Sequence, residues 1–293
     1  MFRIILSALL LFTVFATSPY AEFTVAKLFQ LNQKINPLVQ PYDKKVGLCF
    51  IDLETDRELQ VNGGRKYPAA SVAKMPIMAA AYHLAESGKL NLDQTLLFKE
   101  KDKLEGSGVL RWMKAGKKYS IRNLIRMMIS LSDNTATKMV IDRIGIENIN
   151  NYIKDLGLNN TQIVDRTMLN EPSSEKINQT SPQDMAYLCR MIQKATHFSP
   201  KSSEQMLAYM KNQRYRWGIC KGVPPGTEVA NKTGNLDEVL NDVGIIYSPA
   251  GNYILSIFTY GFEKKNAREL INKISATAYQ TYTAGLKTGS ENQ

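Results

Sequence analysis

Histidine is almost absent from this chain of 293 residues. Only His83 and His197 occur, and neither stands in a ligand-like cluster. The three cysteines, Cys49, Cys189 and Cys220, lack metal-ligand spacing, which argues against a zinc hydrolase; no metal and no cofactor are expected. No Gly-x-Ser-x-Gly occurs, so the nucleophile elbow of esterase-type triads is missing. No low-complexity tract or linker-like stretch interrupts the interior, and one compact body is expected. Aromatic residues make up 9% of the chain and do not interleave with the densest lysines, Lys99, Lys101, Lys103, Lys114, Lys117 and Lys118. The formal charge of +10 therefore reads as a solvated basic surface with no nucleic-acid groove. A weak attraction to anionic cell-wall polymer is the one partner the charge suggests.

What is present begins with a leader. Met1-Phe2-Arg3 is a short positive region, and an apolar run follows over 4–15, too short for the roughly 20 residues of a membrane span. Ala16-Thr17-Ser18 then supplies small residues of the kind a signal peptidase cuts after. Residues 1–18 are read as a signal peptide, and the expected location is periplasmic or secreted. A retained anchor helix is the alternative. No cysteine near the cut suggests a lipid anchor.

Behind the leader, Ala26, Leu28, Phe29, Leu31, Ile35 and Leu38 recur at helical spacing. A strand over 46–53 and its return over 58–61 predict a hairpin. Helices are expected over 72–86, after the cap Ser120, over 135–144 up to Gly145, over 146–156 up to Gly157, and from Ser181-Pro182. Strands return over 227–233, 243–247 and 253–260, and a last helix starts near Lys264. This order predicts an α+β fold, an antiparallel sheet flanked by terminal helices plus an all-helical lobe. Residues 24–66 and 208–286 would form the discontinuous α/β domain and 67–207 the helical domain. Residues 287–293 would be a loose tail. A cleft is expected between the lobes, and the chain is expected to be monomeric.

Three short motifs carry chemistry. In Ser71-Val72-Ala73-Lys74 a serine and a lysine stand one helical turn apart, on one face of a helix start. A hydroxyl becomes a useful nucleophile when a neighbouring base takes its proton, and a neutral amine can do so. Ser132-Asp133-Asn134 joins two helices, offering a hydroxyl as proton relay and an amide for a substrate carbonyl; a plain helix cap is the other reading. Lys232-Thr233-Gly234 lies on a strand, where charge and hydroxyl can hold a carboxylate and glycine lets a substrate backbone approach. Two decoys show why context decides: Ser173-Ser174-Glu175-Lys176 in a polar loop, and Lys287-Thr288-Gly289 in the tail.

Together, in this order and these settings, the motifs resemble those of the active-site serine penicillin-recognising enzymes, most closely the class A β-lactamases. Tyr67-Pro68-Ala69-Ala70, Met128-Ile129-Ser130-Leu131 and Asn241-Asp242 extend the resemblance over nearly the whole chain after the leader. It implies that Ser71 attacks a carbonyl, with Lys74 as the acylation base or its helper. Ser132 would pass a proton to the leaving nitrogen, and Asn134 would bind the substrate amide. Lys232 and Thr233 would hold the carboxylate, with Gly234 letting the substrate backbone lie against the strand edge. Backbone N–H groups of Ser71 and Asn235 would form the oxyanion hole, and Asp133 looks structural.

The resemblance breaks in the loop that should supply a water-activating glutamate two residues after an arginine. Here that position, after Arg166, is Met168. Leu169-Asn170-Glu171-Pro172 admits two alignments: one deletes the catalytic carboxylate, the other moves it to Glu171. Three functions stay open at this point. The first is a β-lactam hydrolase with slow release, using Glu171 or another route. The others are a peptidase acting on D-alanyl-D-alanine ends and a penicillin-binding protein that acylates and stops.

Overall fold

The computed structural model describes residues 23–285; the expected leader over 1–18 and tail over 287–293 lie outside the described residues. In chain order the elements are α1 Val25–Val39, β1 Val46–Asp52, β2 Glu58–Val61, β3 Tyr67–Pro68, α2 Lys74–Glu86, β4 Thr95–Leu97 and β5 Lys118–Ser120. There follow α3 Ile121–Ser130, α4 Asn134–Ile144, α5 Ile146–Asp155, β6 Gln179–Thr180, α6 Pro182–Lys194 and α7 Pro200–Lys211. Last come β7 Glu228–Leu236, β8 Val239–Ser248, β9 Gly251–Tyr260 and α8 Lys264–Thr283.

The main sheet is antiparallel, in the order β2-β1-β9-β8-β7, so strands from both ends of the chain meet at its centre. Every residue of β1 is buried, because both faces of the sheet are covered. One face packs on α1 and α8 through Leu31, Ile35, Ile271, Ile274 and Tyr282. The other face joins the larger core of the helical lobe through Cys49, Ile51, Val243, Ile245 and Ile254. The expected α+β architecture is what the chain adopts.

At the middle of the lobe lies α2, buried from Lys74 through Tyr82. A helix apolar on all sides belongs inside a protein, and its start is thereby fixed in space. Around it, α3 is capped by Ser120, whose hydroxyl accepts from Asn123 N at 3.2 Å. Ser181 caps α6 in the same way, and Pro182 takes the first position, where no N–H is needed.

The structure departs from the sequence reading in several places. The helix expected from residue 72 begins at Lys74, after a 3₁₀ turn over Ala70–Ala73 that holds Ser71. Strands β7 and β8 run on to Leu236 and back to Val239, through a tight turn in which Glu238 has φ 55°. Helix α7, opened by Ser199-Pro200, was not foreseen. Its unbroken span, Pro200–Lys211, crosses the expected boundary at 207. All three cysteines are free. Cys49 donates to Glu58 at 3.2 Å, and burial pushes its thiol well up, so it packs as an inert side chain.

Candidate active site

Ser71, Lys74, Ser132, Asn134 and Lys232 converge where the start of α2, the α3–α4 connection and edge strand β7 meet. The turn carrying Ser71 is tied on several sides. Ala69 N donates to Asn178 O at 2.8 Å, and Asn241 Nδ2 donates to Pro68 O at 2.9 Å and Ala69 O at 3.3 Å. Ala70 sits at φ 46°, a left-handed conformation costly for a residue with a Cβ, and these anchors hold it there. Beside it lies Gly234. A Cβ on Gly234 would come within 3.0 Å of both Ala69 O and Ala70 Cβ. Its glycine therefore admits the nucleophile turn itself against β7, a different reason from the substrate approach expected from sequence.

Ser132 is also left-handed, at φ 53°. Asp133 after it caps α4 by accepting from Ala136 N at 2.9 Å, and its other oxygen accepts from Val109 N at 2.7 Å and Leu110 N at 2.9 Å. The cap reading and the functional reading of this motif therefore divide between neighbours: Asp133 fixes the backbone, which aims Ser132 and Asn134 inward.

Lys74 is fully buried. Its Nζ lies 3.0 Å from Ser71 Oγ, 2.7 Å from Ser132 O, 3.1 Å from Ser132 Oγ and 2.7 Å from Asn134 Oδ1. Burial holds its amine well below the ordinary lysine range, and the charge of Lys232 adds to the effect against a smaller opposing pull from Asp133. Lys232, equally buried, donates to Ser132 Oγ at 3.0 Å and to Thr233 O at 2.8 Å. Burial brings it down to about 7, with Asp242 pulling the other way. Asp242 is itself buried and raised to about 6 by desolvation, and it accepts from Asn231 Nδ2 at 2.9 Å and Ile219 N at 2.8 Å. Two buried amines without a carboxylate in bonding reach among the described residues make a costly local field, which a bound anion relieves. Thr233 is buried and Asn235 exposed on the same strand edge.

Glu171 is not brought into this cluster. It is exposed, and its described contact is made by its backbone carbonyl, which accepts from Ser174 N at 2.9 Å. Met168 does not face the cleft either. Its φ of 61° turns it inward, where it is buried and its Sδ accepts from Asn178 Nδ2 at 3.2 Å. The next side chain, Leu169, points the other way. A Cβ on Gly106 would lie 3.1 Å from Leu169 Cδ2 and 2.6 Å from Asn134 Nδ2, so an apolar side chain borders the site at that point. The decoy Ser173 is exposed and joins no site residue, and Lys287 lies outside the described residues.

Sequence reasoning passed over the segment 105–110 and assigned no structural role to Asn178 or Asn241, all of which hold the site together. The paired glycines Gly106 and Gly108, flanking one serine, were the available signal, since such pairs mark close backbone approach. No group of three or more His, Cys, Asp or Glu side chains able to hold a metal exists among the described residues.

With this geometry in view, the chain can be set beside known proteins. The model of the Beta-lactamase enzyme family matches residues 30–282. The extended-spectrum beta-lactamase PER-1 of Pseudomonas aeruginosa is 27% identical over 85% of this chain and 86% of its own length. Beta-lactamase BRO-1 of Moraxella catarrhalis is 25% identical over 74% of this chain and 71% of its own. Among solved structures, the beta-lactamase from Sphaerobacter thermophilus DSM 20745 superposes with a TM-score of 0.80 at 28% identity, covering 86% of this chain and 97% of that one. PBP-A superposes with a TM-score of 0.78 at 30% identity, covering 87% and 96%. A mutant of PBP-A is similar to the same degree and was solved as an acyl-enzyme complex with penicillin G.

Proposed function

The chain belongs to the β-lactamase enzyme family, with the class A serine enzymes, and on that premise we propose that it opens β-lactam rings through an ester on Ser71. The observation that carries this reading is the set of four partners around Lys74 Nζ. An ammonium has three N–H bonds and no lone pair, whereas a neutral amine has two N–H bonds and one lone pair. Ser132 O and Asn134 Oδ1 can only accept, and at 2.7 Å they take two N–H bonds of Lys74. The lone pair of the neutral form then faces two hydroxyls, Ser71 Oγ and Ser132 Oγ. Burial beside Lys232 favours that neutral form.

Lys74 thus takes the Ser71 proton as the oxygen attacks the lactam carbonyl. Ser132, within reach of Lys74 and Lys232 alike, passes a proton to the departing nitrogen as the ring C–N bond breaks. Backbone N–H groups of Ser71 and Asn235 stabilise the oxyanion, a large term in acyl transfer. Asn134 binds the substrate amide, and Lys232 with Thr233 and the strand edge at Gly234 holds the carboxylate. The substrate is a small molecule bearing an acyl amide and a carboxylate.

Hydrolysis of the ester needs a positioned water. Exposed Glu171 and apolar Leu169 support slow release of the acyl group. The decisive experiment follows intact mass against time after mixing with penicillin G and, separately, with a D-alanyl-D-alanine peptide. An adduct on Ser71 that decays while opened penicillin appears is the expected result. A permanent adduct would make the chain a penicillin-binding protein, and turnover of the peptide alone would make it a cell-wall peptidase. Export is part of the proposal, supported by the charge and apolarity of residues 1–18. A mature chain starting after Ser18 in the secreted fraction is the expected mass.

A further inference from the structure

Resting on the acylation reading above, the geometry points to Gly106, with the carbonyl of Glu105, as the device that locks the Asn134 amide in the orientation Lys74 needs. The two ends of that amide have different partners. Oδ1 accepts from Lys74 at 2.7 Å, and Nδ2 donates to Glu105 O at 3.0 Å. Rotated half a turn, the amide would set Oδ1 against Glu105 O, acceptor against acceptor. It would also aim an N–H at Lys74, occupying the lone pair that Ser71 requires. Glu105 O therefore selects the productive orientation.

The segment can lie this close only because side chains are absent from it. Gly106 has φ 88° and Gly108 φ 110°, conformations that favour glycine. A Cβ on Gly106 would approach Asn134 Nδ2 to 2.6 Å, and one on Gly108 would overlap the carboxylate of Asp133. Between them Ser107 O accepts from Asn134 N at 3.0 Å. Gly106 is a positioning residue: it touches no reacting atom and acts through Asn134.

The test compares Gly106→Ala with Gly116→Ala. Gly116 also has a positive φ, 98°, but a Cβ there meets nothing within 4 Å, so both variants carry backbone strain and only one disturbs Asn134. Acylation by a chromogenic cephalosporin is measured against pH, with thermal midpoints alongside. Gly106→Ala is expected to acylate about 10²-fold more slowly, the loss that small misplacements bring. Losing the Oδ1 acceptor disfavours the ammonium, so the acid limb of the profile moves to lower pH, while Lys232 and Asp133, the other charges facing Lys74, are unchanged. Gly116→Ala should keep the wild-type rate and limb. Matching behaviour of the two variants, or a slower Gly106→Ala with an unmoved limb, overturns the inference. Wild type that never forms a Ser71 adduct removes the reading beneath it instead. Should Gly106→Ala fail to fold, NMR of the wild type decides: the Asn134 side-chain amide, assigned by its loss in Asn134→Asp, should exchange more slowly than exposed asparagine amides, and equal exchange refutes the lock.

Discussion

Lys74 and Lys232 aim their amines at one atom, Ser132 Oγ, from 3.1 and 3.0 Å. Two like charges so placed cannot both persist at low cost, and in the proposed chemistry they divide their tasks, Lys74 as base and Lys232 as anion holder.

The first prediction is a pH profile. Lys232 holds a carboxylate only while protonated, so kcat/KM for a penicillin should fall as pH rises through about 7. Lys74 acts only when neutral, so the acid limb should lie far below the ordinary lysine range. Bound substrate stabilises charged Lys232, and the alkaline limb should sit higher in kcat than in kcat/KM. Lys232→Arg, which stays charged throughout, should flatten the alkaline limb.

The nucleophile is tested by covalent labelling. Ser71→Ala should abolish labelling by a fluorescent penicillin, and Ser173→Ala, at an exposed loop position, should leave it intact. Persistent labelling of the Ser71→Ala protein would sink the proposed chemistry.

The lysines should separate by kinetic signature. Lys74→Ala should slow acylation by at least about 10²-fold, as loss of a general base does. Lys232→Ala should chiefly raise the penicillin concentration needed for half-maximal acylation. Lys287→Ala should do neither, and equal losses at Lys232 and Lys287 would contradict the assignment.

Release of the acyl group turns on the loop. Glu171→Gln should leave both formation and decay of the adduct unchanged, because Glu171 is exposed. Leu169→Glu, which sets a carboxylate beside Gly106 and Asn134, should hasten decay while leaving formation nearly as before. Stopped-flow bursts with a chromogenic cephalosporin read both phases, and slower decay in Glu171→Gln would return that residue to the mechanism.

Stability should depend on Asn178. Its Oδ1 accepts from Val164 N and Asp165 N, both at 2.8 Å, and its Nδ2 donates to Asp165 O at 2.9 Å. Asn178→Ala leaves these backbone groups short of partners, at about 1–3 kcal/mol for each one that stays buried. A lowered thermal midpoint with slowed acylation is expected, since loss of these side-chain bonds frees the segment whose backbone carbonyl, at residue 178, anchors Ala69 N.

Much of this site was legible in the sequence because its parts are local. Ser71 and Lys74 share a turn, Asp133 caps the helix that starts one residue later, and Lys232 to Gly234 lie on one strand. What escaped depends on distant neighbours. Asn241 and Asp242 stood in the resemblance without a structural role: they break the apolar pattern of β8, yet both are fully buried because Pro68, Ala69, Asn231 and Ile219 satisfy them. Which of Met168 and Leu169 faces the cleft is set by one left-handed backbone step, which side-chain patterning does not reveal. The glycines at 106 and 108 gain their meaning only once Asn134 and Asp133 are seen pressing on them.

The pairing of β1 with β9 governs when this protein can come into being. Val46 registers with Thr259, so nearly the whole described chain must exist before the centre of the sheet can close. A growing chain that has made Ser71, Lys74 and Ser132 still lacks the strand carrying Lys232 and the partner of its own first strand. Such distant pairings form slowly, and the partial chain stays open during synthesis. A truncation before β9 would leave both β1 and β8 without their shared central neighbour, splitting the sheet in two.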